Sequence, residues 1–455
     1  MSANTKRIDM CNGPIFSSVI KFTIPIIISA ILQLFFNAAD LIVVGRFCGS
    51  NSVAAVGATT SLITLIINFF IGMTAGAGVV ISNAIGARDR EAISRAVHTV
   101  VPLSLIAGAI VTVAGGIFST PLLRLMSTPD EILKLSSVYL RIYFLGKLPS
   151  IVFEFTASIF RAAGDSKTPM KYLSIAGCIN LVLNVIFVTV FKMDVAGVAF
   201  ATALSQIFAC TMLLRALINR EDDCKFRFKN MRIYLQPLKK ILAIGLPSGI
   251  QSSIFAISNV IIQWSMNGFG ATVVAGNAAA ANVEGFVYAA MHSFQHTSLN
   301  FTGQNVGANK YDRVKKSVFA CMFSVIAVGL FLGTLLRIFS SQILSIYIND
   351  NPLAISYGVQ RMAYICQFYF LCGMLEILTG AMRGLGAAIT SLIISVAGVC
   401  GVRLTWIFTV FTIEKFHTPP SLYLSYLISW GACIIAFTVA FTIKYKQGKK
   451  KVLNA

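Results

Sequence analysis

The sequence contains few charged residues, and this scarcity excludes an ordinary soluble fold. Only 12% of the 455 residues are charged and 56% are hydrophobic, whereas soluble domains carry roughly 25% charged residues. The ten cysteines include no CxxC pair, so we expect no disulfide framework. The four histidines form no cluster at ligand spacing and join no nucleophile or acid pair, which argues against a metal site and against enzymatic chemistry.

Long apolar runs are abundant instead. Each is about 20 residues or longer, which is the length that crosses a hydrocarbon core roughly 30 Å thick. Because only short polar breaks separate the runs, they predict an all-α membrane protein with twelve transmembrane helices. The predicted spans are 22–45, 53–82, 96–119, 136–160, 169–191, 195–218, 240–266, 272–303, 317–339, 356–381, 389–413 and 421–443.

Positive charge follows the loops, which assigns the chain to a membrane rather than to nucleic acid despite a net charge of +20. If the N-terminus lies inside, the loops and tails on that side hold 27 Lys and Arg residues, and the opposite loops hold 6. Because cytoplasmic loops are enriched in Lys and Arg, both termini are predicted to be cytoplasmic. The first apolar run is too long for a cleaved signal peptide. We therefore predict an uncleaved multi-pass protein of the cytoplasmic membrane, with the lipid bilayer as a partner.

The two halves of the chain repeat one plan. Residue types recur at an offset of 222 positions, which becomes 221 in one loop through a single indel. The matching pairs include Pro25/Pro247, Glu154/Glu376, Arg161/Arg383 and Gly164/Gly386. Six spans per half is an even number, so the halves are parallel repeats, an arrangement that places binding sites at the interface between them. We predict an N-terminal lobe at 1–218, a cytoplasmic linker at 219–240 and a C-terminal lobe at 241–455.

Asp40 is the main candidate for a functional residue. It lies inside the first span without a Lys or Arg nearby in that span, and an acid at the centre of a membrane helix costs roughly 2.5–3.5 kcal/mol. From the helix rise, Asn180, Asn184 and Thr202 lie at about the same depth as Asp40. Such a group could carry a proton on Asp40, because burial favours the neutral acid, or hold a hard cation such as Na⁺. The alternative is that the group only joins helices, which contributes about 0.6 kcal/mol.

Other acids within the spans each have two candidate roles. Glu154 and Arg161 are seven residues apart, about 10 Å along one helix face, and Glu376 and Arg383 have the same spacing. We expect both pairs to be structural ion pairs, with cargo contact as the alternative. Glu284 falls near the membrane midplane, where it is either a second proton site or substrate contact, or the partner of an arginine.

Each half also has a proline a few residues into its first span. Pro25 and Pro247 would bend these helices, because proline removes an N–H donor and its ring clashes with the preceding turn. We predict that both are gating positions, with improved packing as the alternative reading.

Four loop motifs resemble those of the multidrug and toxic compound extrusion (MATE) family. They are GARDREAISRA after span two, FRAAGDSKTPMKYL after span four, TGQNVGANKYDRVKK after span eight and AMRGLGAAITSLIIS after span ten. Four motifs at matching positions along nearly the whole chain are far more specific than one short pattern. The resemblance implies two six-helix lobes around a central V-shaped cleft. It also implies export of small organic, often cationic compounds against an inward flow of H⁺ or Na⁺, with no cofactor.

The resemblance further implies that Asp40 carries the coupling ion. Family members commonly have Asn-x-x-x-Asp on span five, whereas this chain has Asn180 and Asn184 there, so we expect H⁺ rather than Na⁺. We therefore predict a cation-coupled antiporter that acts as a monomer in a bacterial cytoplasmic membrane. The alternatives are a flippase for lipid-linked sugars from the same superfamily, a drug-binding sensor and a membrane-embedded enzyme.

Overall fold

The computed structural model describes residues 7–126, 128–348 and 351–454, and this part of the chain consists of helices joined by short connections. Lys6, one of the positive charges counted above, lies outside the described residues. The first half contains α1 (Ile15–Phe47), α2 (Ser50–Gly86), α3 (Arg90–Leu125), α4 (Asp130–Leu145), α5 (Lys147–Ala162), α6 (Lys167–Val185) and α7 (Asp194–Ile218). The second half contains α8 (Leu235–Asn267), α9 (Ala271–Gly307), α10 (Tyr311–Ile338), α11 (Ser340–Tyr347), α12 (Pro352–Ile365), α13 (Tyr369–Gly384), α14 (Ala388–Ser395), α15 (Val402–Phe408) and α16 (Pro419–Leu453).

The helices confirm the predicted all-α membrane architecture. Within the described ranges, ten helical segments are long and apolar enough to cross a membrane, and α4 with α5, bent by 42° at their junction, makes an eleventh. The remaining predicted span, 272–303, is α9. Most of the 37 residues of α9 are buried in protein. Its polar side chains therefore avoid lipid, and the helix need not be apolar throughout.

The connection between the halves is shorter than the predicted linker. α8 begins at Leu235, so the last six residues of 219–240 are helical. Pro237 does not prevent this, because the first turn of a helix lacks intrahelical partners for its N–H groups and tolerates proline. A short 3₁₀ turn, Phe228–Asn230, lies within the remaining connection.

The backbone repeats at the offset found in the sequence. α1 and α8 both have 33 residues, and α2 and α9 both have 37. Positive φ angles recur at Gly49 and Gly270 (92° and 90°) and at Gly164 and Gly386 (82° and 77°). Because such angles strain any residue with a Cβ atom, each pair marks a turn that both halves retain. We call α1–α7 the first lobe and α8–α16 the second lobe.

Both described ends of the chain lie on one face, which we call the terminal face. The segment 8–13 reaches the turn after α9, where Lys310 donates to the carbonyl oxygen of Cys11 and Arg313 donates to that of Gly13. α16 ends beside the same turn, where Lys449 pairs with Asp312 at 2.8 Å. The N-terminal segment and the last helix therefore cover the same side of the molecule.

The two lobes meet along the terminal half of α2. A Cβ atom added at Gly76 would overlap the carbonyl oxygen of Ile241 in α8, and one added at Gly86 would overlap that of Gln304 in α9. Glycine at these positions permits direct backbone contact between the lobes. Toward the opposite end of α2, a Cβ at Gly57 would meet open space. The cleft between the lobes therefore opens away from the terminal face.

α1 packs on both lobes. Its first turns bury Val19, Phe22 and Ile26 in the apolar core of the second lobe, where Phe22 makes an edge-to-face contact with Phe301. Its far end packs against α6 and α7 of the first lobe. α8 repeats this arrangement in reverse, since Ile241 near its start is buried in the core of the first lobe. α1 therefore connects the two lobes.

Candidate functional site

The structure brings the four predicted coupling residues together at the far end of α1. Asn184 of α6 donates an N–H to Asp40 Oδ1, and its Nδ2 lies 3.3 Å from Asn180 Oδ1. Asn180 donates in turn to Thr202 Oγ1 of α7 at 3.3 Å. Thr202 donates to the carbonyl oxygen of Val198 at 3.0 Å. One hydrogen-bonded chain therefore joins three helices and ends at the carboxylate.

The two asparagines of this cluster are buried, Asp40 and Thr202 are half-buried, and the cluster contains no positive charge. No Lys, Arg or His in the described ranges forms an ion pair with Asp40, while Asn180 is 5% exposed and Asn184 is fully buried. Among the described atoms, Asn184 Oδ1 is buried without a hydrogen-bond donor, although buried polar atoms are normally paired. A proton on Asp40 would supply that donor. A Na⁺ ion would instead find carboxylate and amide oxygens, which are the ligands that hard cations prefer.

Two tyrosines of α4 that the sequence reading missed lie near Asp40. Tyr139 and Tyr143 stack with ring centroids 5.9 Å apart, and both are close enough to the Asp40 carboxylate to interact with it electrostatically. Lys147, just past the bend between α4 and α5, places its Nζ 4.4 Å from the ring centre of Tyr143. The four-residue spacing of the tyrosines indicates one helix face. Nothing in the sequence shows which helix that face contacts.

A polar stripe on α1 leads from Asp40 toward the terminal face. Ser29, Gln33 and Asn37 precede Asp40 at steps of three or four residues, so the four side chains share one helix face. Gln33 and Asn37 are exposed, and Ser29 and Gln33 line a cavity to which α5 and α9 also contribute. The stripe therefore faces the space between the lobes.

The two prolines lie inside continuous helices. Pro25 is in the part of α1 that packs on the second lobe, and Pro247 is in α8. Ser29 donates its hydroxyl to the carbonyl oxygen of Pro25 at 2.8 Å. Asp40 lies 15 residues farther along the same helix, about 22 Å away by helix rise. The gating role of both prolines stays a prediction.

Glu284 forms a buried ion pair in the second lobe. Its two carboxylate oxygens accept hydrogen bonds from Arg361 of α12 at 2.8 and 2.7 Å, and the two side chains are only 6% and 7% exposed. Arg361 also donates to Asn277 Oδ1 at 2.7 Å and lies 5.7 Å from the ring centre of Tyr423. Of the roles considered for Glu284, this geometry favours pairing with an arginine over a proton or substrate site.

The two repeated Glu–Arg pairs differ from each other. Arg161 lies 3.4 Å from Glu154, as expected for an ion pair, although the contact is long. Glu376 and Arg383 form no direct pair, because Gln295 of α9 stands between them, donating to the carboxylate and accepting from Arg383 at 3.2 Å. The expectation of a direct pair is wrong here. Seven residues span about 10 Å of helix, and a neighbouring side chain occupies that gap.

The MatE family model matches two stretches of the chain, residues 25–186 and 247–409. The matches begin at Pro25 and Pro247, which are 222 positions apart, as in the internal repeat. Together they cover more than half of the chain, including Asp40, Asn180 and Asn184 of the first-lobe cluster and the buried pair of Glu284 and Arg361.

Known relatives span nearly the same length. The probable multidrug resistance protein YoeA of Bacillus subtilis is 29% identical, covering 95% of this chain and 93% of its own. The probable multidrug resistance protein NorM of Thermotoga maritima is 24% identical with 85% and 83% coverage, and the FAD transporter of Shewanella oneidensis is 21% identical with 86% coverage of each chain.

The fold also matches a solved structure, described as the outward-facing conformation of a multidrug resistance MATE family transporter. The TM-score is 0.89 at 22% identity, over 98% of this chain and 99% of the other. At this identity the likeness concerns the fold alone. The double match to the family model assigns the function class. The chain therefore belongs to the MATE family, and it is a multi-pass membrane transporter of the multidrug-efflux type rather than an enzyme.

Proposed function

We propose that the protein is a proton-coupled antiporter that exports small organic compounds, often cationic ones, across a bacterial cytoplasmic membrane as a monomer. Asp40 carries the proton. The proton and the exported compound favour different conformations of the two lobes, and this competition couples their movements. A ligand that bound every conformation equally would shift none of them.

The observation that carries this proposal is the bonding of Asp40. Its carboxylate accepts from Asn184, which keeps its own amide oxygen without a donor. Protonation turns one carboxyl oxygen into a donor, and the unpaired amide oxygen of Asn184 is the acceptor that this new donor would recruit by a turn of the amide. This exchange changes the contact between α1 and α6 while Phe22 and Ile26 remain in the core of the second lobe. The protonation state of Asp40 thereby acts on both lobes through α1.

The proposed cycle starts with the cleft open away from the terminal face. A proton enters from outside and binds Asp40, α1 shifts and bends near Pro25, and the compound leaves outward. The cleft then closes on that side, the lobes separate along α2 on the terminal face, and the proton departs inward. The next compound binds from inside. Two parallel lobes that move against each other are the usual basis of alternating access.

We assign the terminal face to the cytoplasm. Lys310, Arg313 and Lys449 lie on this face, and it carries the loops that are rich in Lys and Arg. Such loops stay on the cytoplasmic side during membrane insertion. Export then runs from the terminal face toward the open end of the cleft.

A flippase for lipid-linked sugars is the main rival. It would need a cavity with free positive charges for a diphosphate. In the described part of the second lobe, each buried arginine instead donates to a side chain of that lobe: Arg361 to Glu284, Arg383 to Gln251 and Arg403 to Ser429. In the first lobe, Arg161 lines the cavity between the lobes, but the Glu154 carboxylate lies 3.4 Å away and offsets its charge. A drug-binding sensor, by contrast, would bind compounds without moving them, so measurement of flux separates it from a transporter.

The test is ethidium flux in vesicles that contain the purified protein, with a pH gradient or a Na⁺ gradient imposed separately. We expect the pH gradient alone to drive flux in the wild type, and Asp40→Asn to abolish this flux because the variant cannot bind and release a proton. Asp194→Asn is the matched control, since Asp194 is also in the first lobe but bonds to Ser52 outside the cluster. It should retain the flux.

Three results would contradict the proposal. If Asp40→Asn still exported ethidium under the pH gradient, another group would carry the proton. If only the Na⁺ gradient drove export by the wild type, the cluster would be a Na⁺ site. A protein that bound ethidium but moved it under neither gradient would be a sensor.

A further inference from the structure

A second polar site lies between the lobes, separate from the cluster at Asp40. It is a cavity of about 110 Å³ at the base of the cleft, between α1, α5 and α9. Its polar lining includes Ser29, Gln33, Glu154, Arg161, His292 and His296. The first four belong to the first lobe and the histidines belong to the second. We call this cavity the basal chamber.

Several N–H donors in the basal chamber make no hydrogen bond to the described residues. The guanidinium of Arg161 has five N–H groups, and its one hydrogen bond among the described residues is the 3.4 Å contact with Glu154. The rings of His292 and His296 make no hydrogen bond with any described residue, although they contact each other with ring centroids 5.5 Å apart. Each neutral ring still offers one N–H. These N–H groups are therefore available to a ligand that enters the cavity.

The position of Arg161 directs its charge into the chamber. Side chains on a helix point back toward the helix N-terminus, and Arg161 stands at the last turn of α5, so its guanidinium reaches up from the terminal face. Arg161 is close enough to both histidine rings to interact with them electrostatically. Its long, single contact with Glu154 leaves an edge of the planar fork free, and that edge matches the two oxygens of a carboxylate.

The size of the chamber limits what it can hold. Pockets that enclose a whole drug-sized molecule have volumes of roughly 300–1,000 Å³, so a cavity of about 110 Å³ admits only one end of such a molecule. The apolar remainder would lie in the cleft above, beside the polar stripe of α1. A carboxylate with one or two waters fits the volume, because each water takes about 30 Å³.

We propose that the basal chamber binds the carboxylate end of anionic and zwitterionic substrates, with Arg161 as its charged anchor and His292 and His296 as donors from the other lobe. This inference names a substrate class and rests on the proposed export only in calling the ligand a substrate. Arg161, the charged anchor, belongs to the first lobe and stays with it when the lobes separate, so a compound that enters from the terminal face can still pair with it. The two histidines add their N–H groups only when the lobes are closed on that face.

Binding to the purified protein in lipid nanodiscs tests the proposal without requiring transport. The probes are dansylglycine, which carries a carboxylate, and dansylglycinamide, its neutral analogue, and both report binding by dansyl fluorescence. Wild type should bind the acid more tightly. Arg161→Gln should weaken binding of the acid by about tenfold or more, as expected for loss of a charge-assisted bond, and leave the amide nearly unchanged. Glu154→Gln should strengthen binding of the acid by removing a repelling charge.

The proposal predicts that Arg161→Gln weakens binding of the acid and Glu154→Gln strengthens it, and these opposite effects distinguish it from the alternatives. If the chamber bound cations instead, Glu154→Gln would weaken binding of dansylcadaverine, a probe that carries an ammonium group, and Arg161→Gln would strengthen it. If Glu154 and Arg161 were only a structural pair, both variants would change the acid and the amide equally. Either result overturns the proposal. Failure of ethidium flux would overturn the antiport proposal while leaving this binding result intact.

Two further variants distinguish a loss of binding from a loss of folding. Arg161→Lys keeps the charge but removes the planar fork, so it should lose part of the preference for the acid. Arg383→Lys is the matched control from the repeat, because Arg383 is held by Gln251 and Gln295 and lies outside the chamber. It should keep the wild-type ratio of acid to amide binding, and a changed ratio in this control would refute the assignment to Arg161.

Discussion

The buried pair of Glu284 and Arg361 provides the sharpest test of how the second lobe is built. Glu284→Gln removes the negative charge and leaves Arg361 inside the protein with only neutral partners: the new amide oxygen, Asn277 and the rings of Tyr423 and Tyr426. Breaking a buried ion pair by changing one partner costs about 3–5 kcal/mol, because an uncompensated charge stays in a low-dielectric site. We therefore expect Glu284→Gln to lower the free energy of unfolding by about that amount.

The size of this effect follows from the geometry. Both oxygens of Glu284 are engaged at 2.7–2.8 Å, and the two side chains are 6% and 7% exposed, so water cannot replace the lost partner. Arg361→Met should cost a similar amount, since it leaves the carboxylate alone. The double variant should cost clearly less than the sum of the singles, because it leaves no unpaired charge and removal of both ions is often close to neutral.

The assay is reversible unfolding in mixed micelles, followed by tryptophan fluorescence, with all three variants measured in parallel. Ethidium flux under a pH gradient is measured on the same preparations. A structural pair predicts that the double variant recovers both stability and flux. The reasoning is refuted if Glu284→Gln changes the free energy of unfolding by less than about 0.5 kcal/mol or if the two single effects simply add. It also fails if the double variant is stable yet cannot transport, because Glu284 would then act in transport.

Two further predictions concern the contact between the lobes and the linker. Gly76→Ala should destabilise the form that is closed at the terminal face by about 1–3 kcal/mol, because the new Cβ overlaps the carbonyl oxygen of Ile241. Chemical labelling of a cysteine introduced into this contact would report the opening of the lobes. Asp222→Asn should lower stability at pH 7 by about 1–3 kcal/mol. Burial acts to raise the pKa of Asp222, but hydrogen bonding and charge from Arg220, together with Arg7, lower it overall, so its contribution is present above a pH of about 4 and disappears as the pH falls further.

Each of these predictions has a control in the same element. Gly57→Ala lies in α2 where a Cβ would meet open space, so it should be neutral or stabilising by up to about 1 kcal/mol, and opening of the lobes in this variant would contradict the steric argument. Asp223→Asn alters a pair whose Arg90 side chain is 85% exposed, which should matter little. If the loss of stability caused by Asp222→Asn did not shrink at low pH, the negative charge of Asp222 would not be the source of that loss.

Local patterns in the sequence indicated the helices and the repeat correctly. Apolar runs determine where a chain crosses a bilayer, since unpaired backbone groups are excluded from lipid, and a duplicated gene leaves the same residue types at a constant offset. α9 was found in this way despite its polar residues. The depth of Asn180, Asn184 and Thr202 also followed from the helix rise alone. The structure places all three in one chain with Asp40.

Contacts between distant helices could not be read from spacing. Glu154 pairs with Arg161 across one helix face, whereas the same spacing in the second lobe is interrupted by Gln295, which comes from α9. A repeat preserves spacing within a helix but not the side chains that a neighbouring helix presents. The two tyrosines near Asp40, and the position of His292 and His296 in the basal chamber, were missed for this reason.

The sequence by itself determined that the chain lies in a lipid bilayer, how many helices cross it and how apolar they are. It also showed one acid without a basic partner in the first span. Each of these depends on residues that are close along the chain. Only the tertiary structure decided which charges are neutralised. Glu284 lies 77 positions from Arg361, and Arg161 faces histidines more than 130 positions away. Whether a buried charge is paired or left open to a ligand depends on which helices pack together, and packing is a property of the whole fold.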